Sequence, residues 1–198
     1  MYVEIRYRVA TVSDGLYDGS RLKQKPWRQS SVPSIVWVLA ALLVLSACGT
    51  PKRPTAEINR LRAAAPPEMM SLPNPVRGHR FQDTWGAGRS GGRTHEGVDI
   101  FAKKGTPVRS TTDGIVIRVG SNKLGGKIVG IQGAGAWHYY AHLNSRKVKL
   151  YETVRAGQKI GTVGKSGNAK HTPPHLHYGI YPTVGGAVNP YPLIDQGR

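Results

Sequence analysis

The longest apolar run of the 198-residue chain is 35–47, IVWVLAALLVLSA, thirteen apolar or small residues without a charge. A membrane-spanning helix needs about 20 such residues, whereas a secretory signal core needs about 7–15 with positive charge before it. Arg21, Lys23, Lys25 and Arg28 supply that charge, and Ser46-Ala47 close the run just before Cys48. Residues 1–47 therefore read as a signal peptide. Glu4, Asp14 and Asp18 make the first twenty residues an unusual extension of it, which would fit a translation start near Leu22. Residues 48–74 mix Pro, Ala and charge without a sustained period and read as a flexible tether with one short helix near 56–65.

From Pro75 the pattern changes to short apolar runs separated by Gly, Asn and Asp. It predicts strands at 98–101, 107–110, 114–119, 127–132, 137–142, 159–163 and 175–181, with turns at Asp113-Gly114, Gly125-Gly126, Gly133–Gly135, Ala156-Gly157 and Ser166–Asn168. Many short strands at this spacing, with no long amphipathic helix, predict an all-β domain over 75–198, an antiparallel sandwich or barrel-like sheet.

Composition sharpens this reading. The 25 glycines and 14 prolines suit a turn-rich β domain. The one cysteine, Cys48, excludes an internal disulfide and a Cys-rich metal site. From Cys48 onward there are 22 Lys and Arg against 8 Asp and Glu, a net +14. That excess implies an acidic partner: nucleic acid, an anionic membrane face or an acidic polymer. A nucleic-acid binder would interleave stacking aromatics with Arg on one strand face, a pattern the sequence lacks.

Four of the seven histidines, together with Asp99, fall in tight settings: His95 and Asp99 in HEGVD, His142 in YYAHL, and His175 and His177 in HLH. Period-2 alternation puts His175 and His177 on one face of a strand. His95-Glu96 invites the helical H-E-x-x-H zinc motif, but position 99 is Asp, and Gly97, Val98 and Ile100 disfavour a helix. In an extended strand the Cα atoms of His95 and Asp99 would lie about 13 Å apart; a bend at Gly97 could bring their side chains together. Two nitrogens and one oxygen leave a fourth position open on zinc, the pattern of a catalytic site. Taken singly, each of these residues reads as a surface histidine or a turn Asp. Alternation points Glu96 away from the site, and Trp137, Tyr139 and Tyr140 read first as core.

Two resemblances follow from these residues. Leu45-Ser46-Ala47-Cys48 resembles the lipobox of bacterial lipoproteins, which implies cleavage before Cys48 and acylation of its thiol. Gly49 stands where an Asp would favour inner-membrane retention, so the resemblance implies the periplasmic face of the outer membrane. Gly92–Ile100 (GRTHEGVDI) resembles the G-R-x-H-x-G-x-D stretch of the lysostaphin/LytM-type zinc peptidases. Gly105–Val108, Asp113–Val116, Tyr140–Leu143, Val154–Gly164, Ser166–Asn168, Pro173–His177 and Asn189-Pro190 resemble its later segments in order. This likeness spans about Pro75 to Leu193. It implies one Zn2+ held by His95, Asp99 and His177, with His142 and His175 facing the reaction, and a peptidoglycan substrate cut at a cross-link such as D-Ala–diaminopimelate. Relatives that lack these groups only activate amidases, so a non-catalytic, murein-binding activator of an amidase is the alternative; a regulatory protein partner is left unidentified. His171 departs from the small residue many relatives carry in that loop.

Overall fold

A computed structural model describes residues 52–196. The apolar run at 35–47, the extension before it and Cys48 lie outside the described residues.

The first element is helix α1, Thr55–Ala63. Ala, Glu, Leu and Arg favour a helix there, Glu57 and Arg60 pair one turn apart at 2.6 Å, and Pro66-Pro67 prevent its continuation. Ile58 is buried, and the Gly135 N–H donates to Leu61 O at 2.7 Å. The packed body thus reaches back into the stretch expected to be tether. Leu72 is buried too, in strand β1, Leu72–Pro73.

The remaining strands are β2 Gly88–Arg89, β3 Arg93–Thr94, β4 Val98–Phe101, β5 Pro107–Arg109, β6 Gly114–Asn122, β7 Gly126–Gln132, β8 Ala136–Leu143, β9 Ser145–Arg146, β10 Thr153–Val154, β11 Lys159–Thr162, β12 His175–Pro182 and β13 Ile194–Asp195. Six form an antiparallel sheet in the order β10-β6-β7-β8-β12-β4. A second sheet, β5-β11-β9, supplies Val108 and Ile160 to the same core. The pair β2–β3 forms a small hairpin, and β1 runs parallel to β13.

Alternation along the long strands divides the large sheet into two faces. Val98 and Ile100 of β4, His138 and Tyr140 of β8, and Leu176, Tyr178 and Ile180 of β12 are buried inward. Each aliphatic side chain buried in this way contributes roughly 1.5–3 kcal/mol. The alternate residues Asp99, Trp137, Tyr139, His175, His177 and Tyr181 line a groove on the other face.

Candidate active site

The groove has a volume of about 1020 Å3 and runs across β4, β12 and β8. Register builds its floor: Asp99 of β4 lies directly opposite His177 of β12. His95 arrives from the β2–β3 hairpin, anchored by hydrogen bonds from Gly86 N to His95 O and from His95 N to Ala87 O, both 2.9 Å. The result is convergence. His95 Nε2 lies 2.9 Å from His177 Nδ1 and 3.2 Å from Asp99 Oδ1, and His177 Nδ1 is 3.3 Å from the same oxygen.

Glycine at 97 makes this approach sterically feasible. A methyl group there would sit 2.5 Å from Tyr178 O and 2.7 Å from His177 Cε1. The sequence suggested a bend at Gly97. The chain does bend there, just before β4, and the missing side chain also leaves clearance for the neighbouring strand and the His177 ring.

The two further histidines also open on the groove. The His142 ring centroid is 4.9 Å from that of His175 and 5.9 Å from that of His177. His175 Nε2 is 3.9 Å from Asp99 Oδ1. Alternation would send His142 to the core face beside Tyr140. Instead its backbone takes a left-handed conformation, φ 61°, which turns the side chain to the groove. Such a φ is uncommon outside glycine and costs on the order of 1 kcal/mol or more. The β7–β8 ladder loses register between Lys127 and Val129 just where this occurs.

Backbone carbonyls fix the tautomers. Nδ1–H of His95 donates to Thr84 O at 2.7 Å, that of His142 to Ser166 O at 3.0 Å, and that of His175 to Pro173 O at 2.9 Å. A carbonyl can only accept, so each neutral ring presents an Nε2 lone pair to the groove. Burial, then the nearby charges of His175 and His177, push the His142 imidazole down to about 4, so it is neutral at pH 7. Burial also lowers His177. Burial alone would raise the Asp99 carboxyl, but the close approach of the His177 and His95 rings outweighs it and holds that group well below the usual carboxylate range.

The donor set fits a metal ion. Ligand atoms on a tetrahedral zinc, each about 2.0–2.1 Å from it, lie roughly 3.3 Å apart, close to the spacing of His95 Nε2, Asp99 Oδ1 and His177 Nδ1. These three form a group of potential ligands among the described residues.

The groove walls hold residues that the sequence reading missed. Thr84 also accepts a hydrogen bond from Asp99 N through Oγ1, 3.1 Å, and Arg89 donates to Asp99 Oδ2 at 2.5 Å. Neither sits in a periodic segment, so nothing in the hydrophobic pattern marks them. Trp137 stacks on Tyr181 with centroids 4.7 Å apart, and both line the groove, whereas Tyr140 is core. Glu96 lines the groove as well, against the alternation argument, because the chain there is not yet a strand. Burial and then the Glu96 charge raise Tyr181 to about 12. One end of the groove closes where the β6–β7 turn meets the 3-10 turn Gly167–His171. A methyl on Gly126 would lie 2.3 Å from Gly167 N, and one on Gly167 2.2 Å from Leu124 O. His171 itself is exposed.

Residues 93–190, which include all five groove groups, match Peptidase family M23. The catalytic domain of lysostaphin from Staphylococcus simulans superposes with a TM-score of 0.54 at 30% identity, over 59% of this chain and 92% of that domain. The chain belongs to peptidase family M23. Among M23 relatives, the L-Ala–D-Glu endopeptidase of Bacillus subtilis is 43% identical over 138 residues, 63% of this chain and 42% of that protein. The peptidoglycan DD-endopeptidase ShyC of Vibrio cholerae is 40% identical over 87 residues, 43% of this chain and 20% of that protein. The chain thus spans less than half the length of these two curated M23 relatives.

Proposed function

We propose that this chain is a zinc-dependent peptidoglycan endopeptidase that cuts cross-link peptides at the D-Ala–diaminopimelate bond, tethered by a lipid on Cys48 to the periplasmic face of the outer membrane. The carrying observation is the convergence of His95 Nε2, Asp99 Oδ1 and His177 Nδ1 beside two further imidazoles in an open groove. His95, Asp99 and His177 would hold the ion. When bound, it supplies Lewis acidity, making water more acidic and a peptide carbonyl more electrophilic.

This chain's own groups handle the protons. His142 and His175 each offer an Nε2 lone pair that can accept a proton from water entering the groove. The ring that has taken the proton then donates to the developing oxyanion or the leaving amine. The carbonyls of Ser166 and Pro173 hold both rings through Nδ1–H, so neither must reorient.

The groove's charge supports the choice of bond. Arg93, Arg118 and Lys123 line it in addition to Arg89, against Glu96 and Asp99. A cationic wall suits a substrate bearing free carboxylates, as diaminopimelate cross-links do. The names of the relatives cover an L-Ala–D-Glu and a DD bond, so the decisive experiment is product identification. Digestion of purified sacculi with residues 49–198 should release D-Ala–diaminopimelate fragments by mass spectrometry, and a chelator should stop it. Intact sacculi combined with stimulation of an added amidase would favour the activator reading. Radiolabelled palmitate should enter wild-type chain and not Cys48→Ser.

A further inference from the structure

The two oxygens of Asp99 have different partners. Oδ1 faces His95 Nε2 and His177 Nδ1 at 3.2 and 3.3 Å. Oδ2 accepts a hydrogen bond from Arg89 Nη2 at 2.5 Å. The pair is shielded, with the side chains 35% and 11% exposed for Arg89 and Asp99. Arg89 stands opposite Arg93 in the β2–β3 hairpin, yet the two differ in use: Arg93 turns to Ser90, donating to its carbonyl at 3.2 Å. The same hairpin delivers His95, so one small unit supplies a nitrogen ligand and the partner of the oxygen ligand.

Resting on the metal reading above, we propose that Arg89 is a positioning residue. It holds the Asp99 carboxylate so that Oδ1 alone faces the two imidazoles, leaving one side of the site open to water and substrate.

Two effects oppose each other. The guanidinium charge repels a dication and weakens the carboxylate as a donor. Its hydrogen bond fixes rotation about the Cβ–Cγ bond, so that the oxygen need not be ordered when the ion arrives. Arg89 is about one-third exposed, so its charge is partly screened while its hydrogen bond is not. Orientation should win, because loss of such an outer partner commonly weakens metal binding about 10–100-fold. A competing role, in which Arg89 merely occupies the carboxylate until metal displaces it, predicts the opposite sign.

The test is zinc affinity of the full-length protein in detergent, measured by competition with a chromophoric chelator. Circular dichroism and melting of the metal-free form serve as the folding readout. Arg89→Met keeps the stem and removes every donor. It should bind zinc about 10–100-fold more weakly, with metal-free melting unchanged, while Arg93→Met stays near wild type. Cobalt-loaded Arg89→Met should show an altered visible band as the carboxylate rotates. Unchanged or tighter zinc binding in Arg89→Met, or an equal loss in Arg93→Met, overturns the proposal. Should Arg89→Met not fold, Arg89→Ala decides: it too removes every donor, so wild-type affinity there overturns it. Wild-type protein that binds no zinc refutes the metal reading and this proposal together, whereas wild-type binding with an unaffected Arg89→Met refutes only the role of Arg89.

Discussion

Strand β8 carries two histidines four residues apart, and they end in opposite worlds. His138 stays in the ladder and points inward, where Nδ1 lies 2.7 Å from Tyr178 OH and 3.0 Å from Thr111 Oγ1. Thr111 also meets Tyr140 OH and Tyr178 OH at 2.8 Å each, so the cluster satisfies itself. His142 leaves the ladder through its positive φ and faces the groove. Burial depresses both, His138 to about 3 and His142 to about 4. Burial and charge state therefore do not separate a structural from a chemical histidine. The separating feature is where the lone-pair nitrogen opens: onto sealed core, or onto a groove shared with other ligands.

The largest effects should come from the groove side. His95→Ala or Asp99→Ala should abolish both zinc content and turnover. His142→Ala and His175→Ala should keep zinc yet lose about 10²–10⁴-fold in activity, read by metal analysis beside a sacculus assay. Full activity in either of the last two would dissolve the contrast with His138.

On the core side the signature is pH-dependent stability. Unfolded His138 binds a proton below about 6.5, whereas the folded residue resists protonation until about 3. Its contribution is thus complete above pH 6.5 and is lost as pH falls toward 3. The slope from one such group approaches about 1.4 kcal/mol per pH unit. His142 and His177 share the sign, so the informative quantity is the difference between wild type and His138→Leu. Urea unfolding from pH 7.5 to 5 should show a shallower pH dependence in the variant, with zinc binding retained. Identical slopes would show that His138 is not held neutral by the core.

Smaller still is Gly97→Ala. Its methyl group would force β4 and β12 apart at Tyr178 O and displace the His177 ring. A loss of about 1–3 kcal/mol by thermal melting, together with weaker zinc binding, is the expected result; a melting temperature equal to wild type would mean the strands yield more easily than their packing suggests.

Much of this was legible in the sequence. The seven expected strands correspond to β4, β5, β6, β7, β8, β11 and β12, with ends shifted by up to three residues. Their apolar runs are long enough to carry a period. The two-residue strands are not: β1 pairs with β13 across more than a hundred residues, and nothing local announces it. The pairing of His175 with His177 followed from alternation alone. The placement of His142 did not, because one left-handed residue reverses the face, and alternation has no term for it. The nearness of Asp99 and His177 was implied by the family resemblance but not by the local pattern, since it depends on the register of two strands far apart in the chain.

The contact between Gly126 and Gly167 bears on redesign. These two lips touch main chain to main chain, tied further by Asn168 N to Leu124 O at 3.0 Å and Lys127 N to Ser166 Oγ at 2.8 Å. Any side chain introduced at the seam would pry them open, and Ser166, whose carbonyl orients the His142 ring, would shift with them. A library meant to change what the groove accepts should leave the seam and Thr172-Pro173, which hold the His175 ring, intact and vary Arg118 and Lys123, where new shapes can be tried without misaligning either imidazole.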